Sequence, residues 1–376
     1  MKSNLVARTA LAGGALAVLL PAVGAAQTAD PQARIAALEQ RVAELESQQQ
    51  SSGPTLDMPG GMSVEIYGYA KADLFFDQDY DLGNTIFSLG SVGLPNGPEE
   101  GDFQNAIAYE SRLGVNTTLP TEMGDIKTTI EGDFYGGGGG EFRLRLAYGE
   151  FMGLQAGKNW TNWMPLDSYP LTLDFQGPAG IPFAREAQVR YTFNPTDALE
   201  ASFSLEDDPN DESDRFAVTA AGQYSFNDSN SVRLGAVSRS IDDEDGYGVV
   251  LSGVAGLWQG GTFVGNYIHG EGIGSYMVFP TDDVYDGNAI ETDAVSLQVR
   301  QEVTDKITLS AAYGYREIGD GAVNDTEEIE TIHLTATYTP VEQVTMGVEY
   351  ITGERTEFDG DSYDADRVQA SVQYDF

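Results

Sequence analysis

The side chains that most often carry out catalysis are scarce in this sequence. It has no cysteine and two histidines, His269 and His333. A serine nucleophile needs a base within hydrogen-bond reach, and neither histidine stands in a motif that supplies one. The glycine run at 136–140 follows two aromatic residues and is typical of a loop, not of a phosphate-binding cradle. The sequence therefore predicts that the protein is not an enzyme.

The basic residues form the most informative set. Only 20 Lys and Arg stand against 59 Asp and Glu, which gives a formal net charge of −39. Guanidinium groups match carboxylates geometrically, so basic side chains gathered on one face predict a path for anions. Acidic residues share those faces, and a set of wall salt bridges is a second interpretation compatible with the first. The predicted path residues, which strand alternation places inside a lumen, are Arg112, Lys127, Arg143, Arg145 and Arg190.

Acidic residues cluster between the predicted strands, as at 207–208 and 242–245. Carboxylates are Ca²⁺ ligands, but these runs lack the fixed ligand spacing of a calcium loop. Solvated loop charge is the favoured interpretation, Ca²⁺ binding is the alternative, and no other cofactor is predicted. Nucleic acid is disfavoured as a partner because phosphate binding needs clustered Lys and Arg.

Two short segments precede the part of the chain that carries these residues. Residues 1–26 begin with Lys2 and Arg8, continue with an apolar run at 11–20 and end in small residues. This pattern predicts a cleaved secretory signal peptide. Residues 27–50 predict a periplasmic coiled-coil helix, because apolar residues occupy the a and d positions of two heptads. Two heptads are too short to be stable alone, so we expect them to support a homotrimer; a helix packed on its own chain is the alternative. The heptad residues are Ile35, Leu38, Val42 and Leu45.

After a linker at 51–61, the hydrophobic period changes to two over 62–376. Alternating segments of about ten residues, short turns opposite long loops, and aromatic residues near strand ends favour a transmembrane barrel over a soluble sandwich. We predict an all-β fold, an antiparallel barrel of about sixteen strands in the outer membrane of a Gram-negative bacterium. Its partners would be outer-membrane lipid and lipopolysaccharide. The terminal Phe376, two residues after Tyr374, is similar to the signal read by the barrel-insertion machinery.

Residues 158–183 interrupt the strand pattern, and unstructured segments of this length are usually functional. We predict a loop that folds into the lumen and narrows it. An outer loop packed on a neighbouring subunit is the alternative. The residues expected at the constriction are Lys158, Trp160, Asn162, Trp163, Asp167 and Asp174.

Several segments resemble the DcaP-like porins, best over about 60–195. They include Ser111-Arg112-Leu113-Gly114-Val115, Arg143-Leu144-Arg145-Leu146, and Gly157-Lys158-Asn159-Trp160-Thr161-Asn162-Trp163. The resemblance implies a trimeric, sixteen-stranded porin with a periplasmic coiled coil that takes up small anionic solutes such as dicarboxylates. It also implies substrate contacts at Arg112, Arg143, Arg145 and Arg190.

Two other functions stay open at this stage. In a cation-selective general diffusion porin, acidic wall groups would dominate the lumen, as the net charge of −39 would favour. In a structural or adhesive barrel, the long acidic loops would matter and the lumen would be blocked. Conductance of the purified protein would distinguish the structural or adhesive barrel, which does not conduct, from the anion porin and the cation-selective porin.

Overall fold

The structure, a computed structural model, describes residues 55–210, 213 and 215–376. The predicted signal peptide, the coiled-coil helix and the first part of the linker lie outside the described residues. No helix among the described residues has the length and apolar character that crossing a membrane requires.

The described chain folds into a closed, antiparallel barrel of sixteen strands, as the period-two pattern predicted. β2 closes the barrel by pairing with β20, as at Ala72 and Val372, and its two halves pair with β3 and β4, which act as one interrupted strand. The strands are β1 (Thr55–Asp57), β2 (Ser63–Gln78), β3 (Phe103–Ile107), β4 (Arg112–Thr121), β5 (Gly124–Gly136), β6 (Glu141–Phe151), β7 (Leu154–Trp160), β8 (Arg185–Thr196), β9 (Leu199–Glu206), β10 (Ala217–Asn227), β11 (Asn230–Ile241), β12 (Glu244–Trp258), β13 (Gly261–Glu271), β14 (Val284–Tyr285), β15 (Asn288–Ala289), β16 (Glu291–Thr304), β17 (Ile307–Ile318), β18 (Thr326–Val341), β19 (Val344–Glu357) and β20 (Ser362–Asp375).

Alternation along each strand separates an apolar outer face from a polar inner face. In β2, Leu74 and Phe76 are exposed on the outside, whereas Asp73 and Asp77 are buried on the inside. Phe75 lies on the inner face, so it does not belong to an aromatic girdle on the outside. Its ring lies under the guanidinium of Arg367 at 4.2 Å, and one step along a strand reverses the face.

The two ends of the barrel differ. At the turn end, two residues connect successive strands, as between β4 and β5 and between β18 and β19. At the loop end, three long connections enter the interior: loop A (79–102), loop B (161–184) and loop C (272–290). Each contains a short 3-10 helix, respectively Ile86–Ser91, Leu166–Ser168 and Gly274–Tyr276.

Loops A, B and C pack inside the barrel through two apolar clusters. Burying one large aliphatic side chain stabilises by about 2 kcal/mol, so these clusters keep the loops inside and out of solvent. The wall residues in them lie on β10 to β20, which leaves the interior along β4 to β8 to polar groups. The first cluster contains Leu82, Ile86, Leu89, Val92, Ala179, Ile181, Val278, Phe279, Ile329, Ile351 and Ala365. The second contains Trp163, Ala184, Ala217, Val237, Val250, Ile268, Ile273, Tyr276, Met277 and Ala294.

Four fully buried wall arginines bind main-chain oxygens of loops A and C. Arg367 donates to the Gly83 carbonyl at 2.7 Å and Arg355 to that of Val92 at 2.9 Å, both in loop A. Arg239 donates to the Gly272 carbonyl at 2.9 Å and Arg316 to that of Val278 at 3.2 Å, both in loop C. We call these four residues the clamp arginines.

Candidate functional site

Three of the predicted path arginines meet two carboxylates on the inner wall formed by β4, β5 and β6. Arg143 donates to both oxygens of Asp133, at 2.8 and 3.1 Å. Arg145 donates to Glu131 and to Asp133, each at 2.9 Å. Arg112 lies 3.6 Å from Glu131. These arginines therefore do form salt bridges with the wall, as the second interpretation predicted. The two carboxylates do not balance the three positive charges.

A fourth guanidinium, that of Arg185 at the start of β8, joins this group and was not predicted. It interacts electrostatically with Arg143, Arg145 and Asp133. It forms no ion pair with any described residue, and its Nη1 is buried without a hydrogen-bond partner. Trp160 and Phe183 support it instead, with ring centroids 4.7 and 5.8 Å from its central carbon. Four guanidinium groups thus face two carboxylates, and we call these six residues the basic wall.

Aromatic rings cover the basic wall. The Phe175 ring of loop B lies 5.2 Å from the Arg145 guanidinium and 4.8 Å from the Tyr135 ring. An aromatic face attracts a cation and leaves the N–H edges of a guanidinium free to bind an anion. A cavity of about 580 Å³ opens here, with Tyr135, Arg143, Phe175 and Arg185 in its lining. The arrangement can therefore bind a small anion against a positively charged, aromatic surface.

Buried wall residues hold loop B at the peptide group of Leu173, next to Phe175. The Leu173 carbonyl accepts hydrogen bonds from Lys71 Nζ at 2.8 Å and Gln369 Nε2 at 3.0 Å. Its N–H donates to Glu349 at 2.6 Å, and Glu349 also pairs with His333 Nδ1 at 3.0 Å. His333 is thus fully buried and supports the loop through Glu349. Sequence reasoning missed this set because its members lie on distant strands.

Asp174 joins loop B to loop A. Its carboxylate accepts the Ile86 N–H at 3.1 and 3.2 Å, at the start of the loop A 3-10 helix. Burial raises the pKa of the Asp174 carboxyl to about 6, although Arg367 and the Ile86 hydrogen bond act in the opposite direction. The two loops are therefore joined through a group that titrates just below neutral pH.

The other predicted loop residues lie in different surroundings. Lys158 and Trp160 belong to β7, where Trp160 pairs with Arg185, so the interruption begins at residue 161 and not at 158. Lys158 lines a second cavity, of about 270 Å³, beside Arg185. Trp163 is fully buried in the second apolar cluster, and Asp167 accepts a hydrogen bond from Gln223 at 2.7 Å.

Three further basic residues face inward from β5, β8 and β11. Lys127 is exposed near the turn end and pairs across the sheet with Glu150. Arg190 donates to the Trp160 carbonyl at 2.6 Å and lies 4.0 Å from Glu206. Arg233 on β11, which was not predicted, donates to the Asn162 carbonyl at 2.6 Å.

The acidic runs considered for Ca²⁺ already contact basic groups in part. Asp208 pairs with the clamp residue Arg239, and Asp245 pairs with Arg215 at 2.8 Å. A different group has ligands suited to a metal: His269, Glu291 and Asp293, with ligand atoms within 4.8 Å of one another. All three are at least partly exposed at the loop-end edge of β13 and β16, away from the basic wall.

Comparison with known proteins decides the family. The family model described as DcaP outer membrane protein matches residues 43–376. The chain belongs to the DcaP outer membrane protein family. Among curated protein sequences, none matches the chain.

Solved structures similar to this DcaP family member share its barrel. The outer membrane channel DcaP of Acinetobacter baumannii has a TM-score of 0.78 at 23% identity, covering 85% of this chain and 99% of that chain. OmpT of Vibrio cholerae, folded in vitro, has a TM-score of 0.60 at 16% identity, covering 86% of this chain and 99% of that chain. An anion-selective porin from Comamonas acidovorans has a TM-score of 0.57 at 14% identity, covering 84% of this chain and 100% of that chain. At these identities the likeness concerns the fold.

Proposed function

We propose that this DcaP family protein is a passive outer-membrane porin for small polar solutes, and that it favours anions such as dicarboxylates. The observation that carries the proposal is the basic wall, in which three guanidinium groups share two carboxylates and a fourth, that of Arg185, pairs with neither, beside a cavity of about 580 Å³. A permeating carboxylate would supply the missing counter-charge, and Arg185 has no ion-pair partner to give up among the residues that the structure describes.

The formal net charge of −39 does not contradict an anion path. Charges separated by more than a Debye length, about 8 Å in physiological salt, are largely screened from each other. A solute passing the basic wall contacts its guanidinium groups directly, whereas exposed carboxylates of the outer loops act across water. Local wall charge therefore decides selectivity, and the acidic loops act mainly on the approach to the channel.

The assembly is part of the same proposal. OmpT of V. cholerae has been solved in a trimer form, and we propose a homotrimer here, with the coiled coil at 27–50 on the periplasmic side. We propose further that residues 1–26 are a cleaved signal peptide and that loop B forms the constriction. Phe376 would present the insertion signal, and its main chain pairs with Gly68 at 2.9 Å.

The deciding experiment is the reversal potential of the purified protein in a planar bilayer under a KCl gradient, repeated with succinate on one side. We expect the sign of the reversal potential to show that chloride permeates better than potassium. We also expect succinate to reduce the chloride current. Cation preference without any effect of succinate would assign the protein to the general diffusion porins. Absence of conductance would favour a structural barrel whose inward loops block the lumen.

A further inference from the structure

Three buried hydrogen-bond donors near the start of loop B have no acceptor among the described residues. They are Arg190 Nε, Arg233 Nε and Asn162 Nδ2. Asn162 is 1% exposed, so bulk water does not reach its amide. A buried donor without an acceptor is unfavourable, and three such donors on one segment are where a bound molecule would be stabilised. Since all three are donors, the molecule must offer acceptors.

The two arginines approach the same short segment from different strands. Arg190 on β8 donates through Nη2 to the Trp160 carbonyl at 2.6 Å. Arg233 on β11 donates through Nη2 to the Asn162 carbonyl at 2.6 Å and lies 3.4 Å from Asn162 Oδ1. These carbonyls are two residues apart in the chain. One nitrogen of each guanidinium is therefore bonded to the backbone at 160–162, and the two guanidinium groups are close enough to interact electrostatically with each other.

The neighbouring carboxylates do not satisfy these donors. Glu206 lies 4.0 Å from Arg190, and its oxygens accept hydrogen bonds from the Asn162 N–H at 2.8 Å and the Thr219 hydroxyl at 3.1 Å. Glu200 interacts electrostatically with Arg233. Within the described part of the chain, no carboxylate forms an ion pair with Arg233.

We propose that Arg190, Arg233 and Asn162 form a second carboxylate-binding site in the lumen. A carboxylate offers two oxygens with several lone pairs, and the planar guanidinium suits it better than an ammonium does. Arg233 lies closer to the turn end of the barrel than the basic wall does, so an anion leaving the basic wall meets this site next. The inference rests on the proposed anion path and adds a second binding step to it.

The test is block of the chloride current by succinate in Arg233→Gln and in a matched control, Arg300→Gln. Arg300 also points inward near the turn end, on β16, and forms no ion pair with any described residue. Loss of a charge-assisted hydrogen bond should raise the half-blocking succinate concentration about tenfold in Arg233→Gln. Arg300→Gln removes the same charge and should stay within about twofold of the wild type.

A second variant tests the site without removing an arginine. Asn162→Asp keeps the Oδ1 that accepts from Ser202 at 2.7 Å, replaces the free donor and adds a fixed carboxylate. It should weaken succinate block about tenfold as well, because the new carboxylate occupies the place of the ligand. Heat-modifiable migration in a gel checks that each variant is folded.

The outcomes separate this inference from the proposed function. If the wild type is blocked and both Arg233→Gln and Asn162→Asp behave like Arg300→Gln, the second site is wrong and the anion path still stands. If the wild type is cation-selective and succinate does not block it, the proposed function itself fails. A tenfold change in both variants beside an unchanged control supports the second site.

Discussion

At the scale of single residues, Arg185 gives the sharpest prediction. Its guanidinium has no carboxylate partner among the described residues, so Arg185→Gln removes charge from the basic wall without breaking an ion pair. We expect succinate flux into liposomes to fall about tenfold, with folding unchanged. Arg143→Ala with Arg145→Ala should reduce flux further, because Asp133 and Glu131 lose the partners that now neutralise them. Unchanged flux in Arg185→Gln would remove this residue from the path.

The alternation rule located some lumen arginines and missed others for identifiable reasons. It placed Arg143 and Arg145 inside because Phe142 and Leu144 occupy the other face, and both apolar residues are exposed outside. Arg185 shares the parity of the outward-facing Val189, so the same rule would assign it to the outer face. It joins the basic wall because it stands at the first residue of β8, beside Trp160.

Arg233 was within reach of the same rule. It alternates with Val232 and Leu234, which are exposed outside, so strand parity alone places it in the lumen. Its hydrogen bond to Asn162 was not accessible in the same way, because it depends on where loop B runs. Faces can be predicted from local periodicity, whereas contacts between distant segments cannot.

At the scale of elements, Asp174 predicts how the contact between loop A and loop B depends on pH. Burial raises its pKa to about 6, so acidification through that value adds a proton and weakens acceptance of the Ile86 N–H. We expect wild-type single-channel currents to fluctuate more at pH 5 than at pH 7.5. Asp174→Asn, which resembles the protonated state, should fluctuate equally at both values.

The control for this prediction is Asp167→Asn, which removes a carboxylate from the same loop at a site hydrogen-bonded to Gln223. It should keep the wild-type response to pH. Glu349, His333 and Arg367 also face Asp174. A transition near pH 6 that persists in Asp174→Asn would show that Asp174 is not the group that titrates.

The sequence alone predicts that loop B exists, but it does not predict which side chains hold the loop in place. A break of the period-two pattern with Trp160 and Trp163 nearby identified the segment within a few residues. The side chains that hold its middle, at Leu173, are Lys71 on β2 and Glu349 on β19. They lie 102 and 176 residues from Leu173 in the chain, a separation over which periodicity carries no information.

At the scale of the whole molecule, the closed sheet predicts that folding does not need the segment at 30–50. β2 pairs directly with β20, so every inner strand has two neighbours and the barrel has no free edge. Deleting residues 30–50 should leave the folded, heat-modifiable band intact and lower the temperature at which the proposed trimer dissociates. A deletion variant that migrates only as unfolded chain would contradict this prediction.

The clamp arginines have a consequence for how such a protein can diversify. Three of them, Arg367, Arg355 and Arg316, bind loops A and C through peptide oxygens, those of Gly83, Val92 and Val278. Every amino acid carries that oxygen, so solvent-exposed side chains of these loops can be exchanged without breaking the hydrogen bonds that hold the loops. Sequence variation can therefore change the exposed positions of loops A and C while the interior of the barrel keeps its geometry. Randomised exposed loop positions should yield mostly folded, conducting variants.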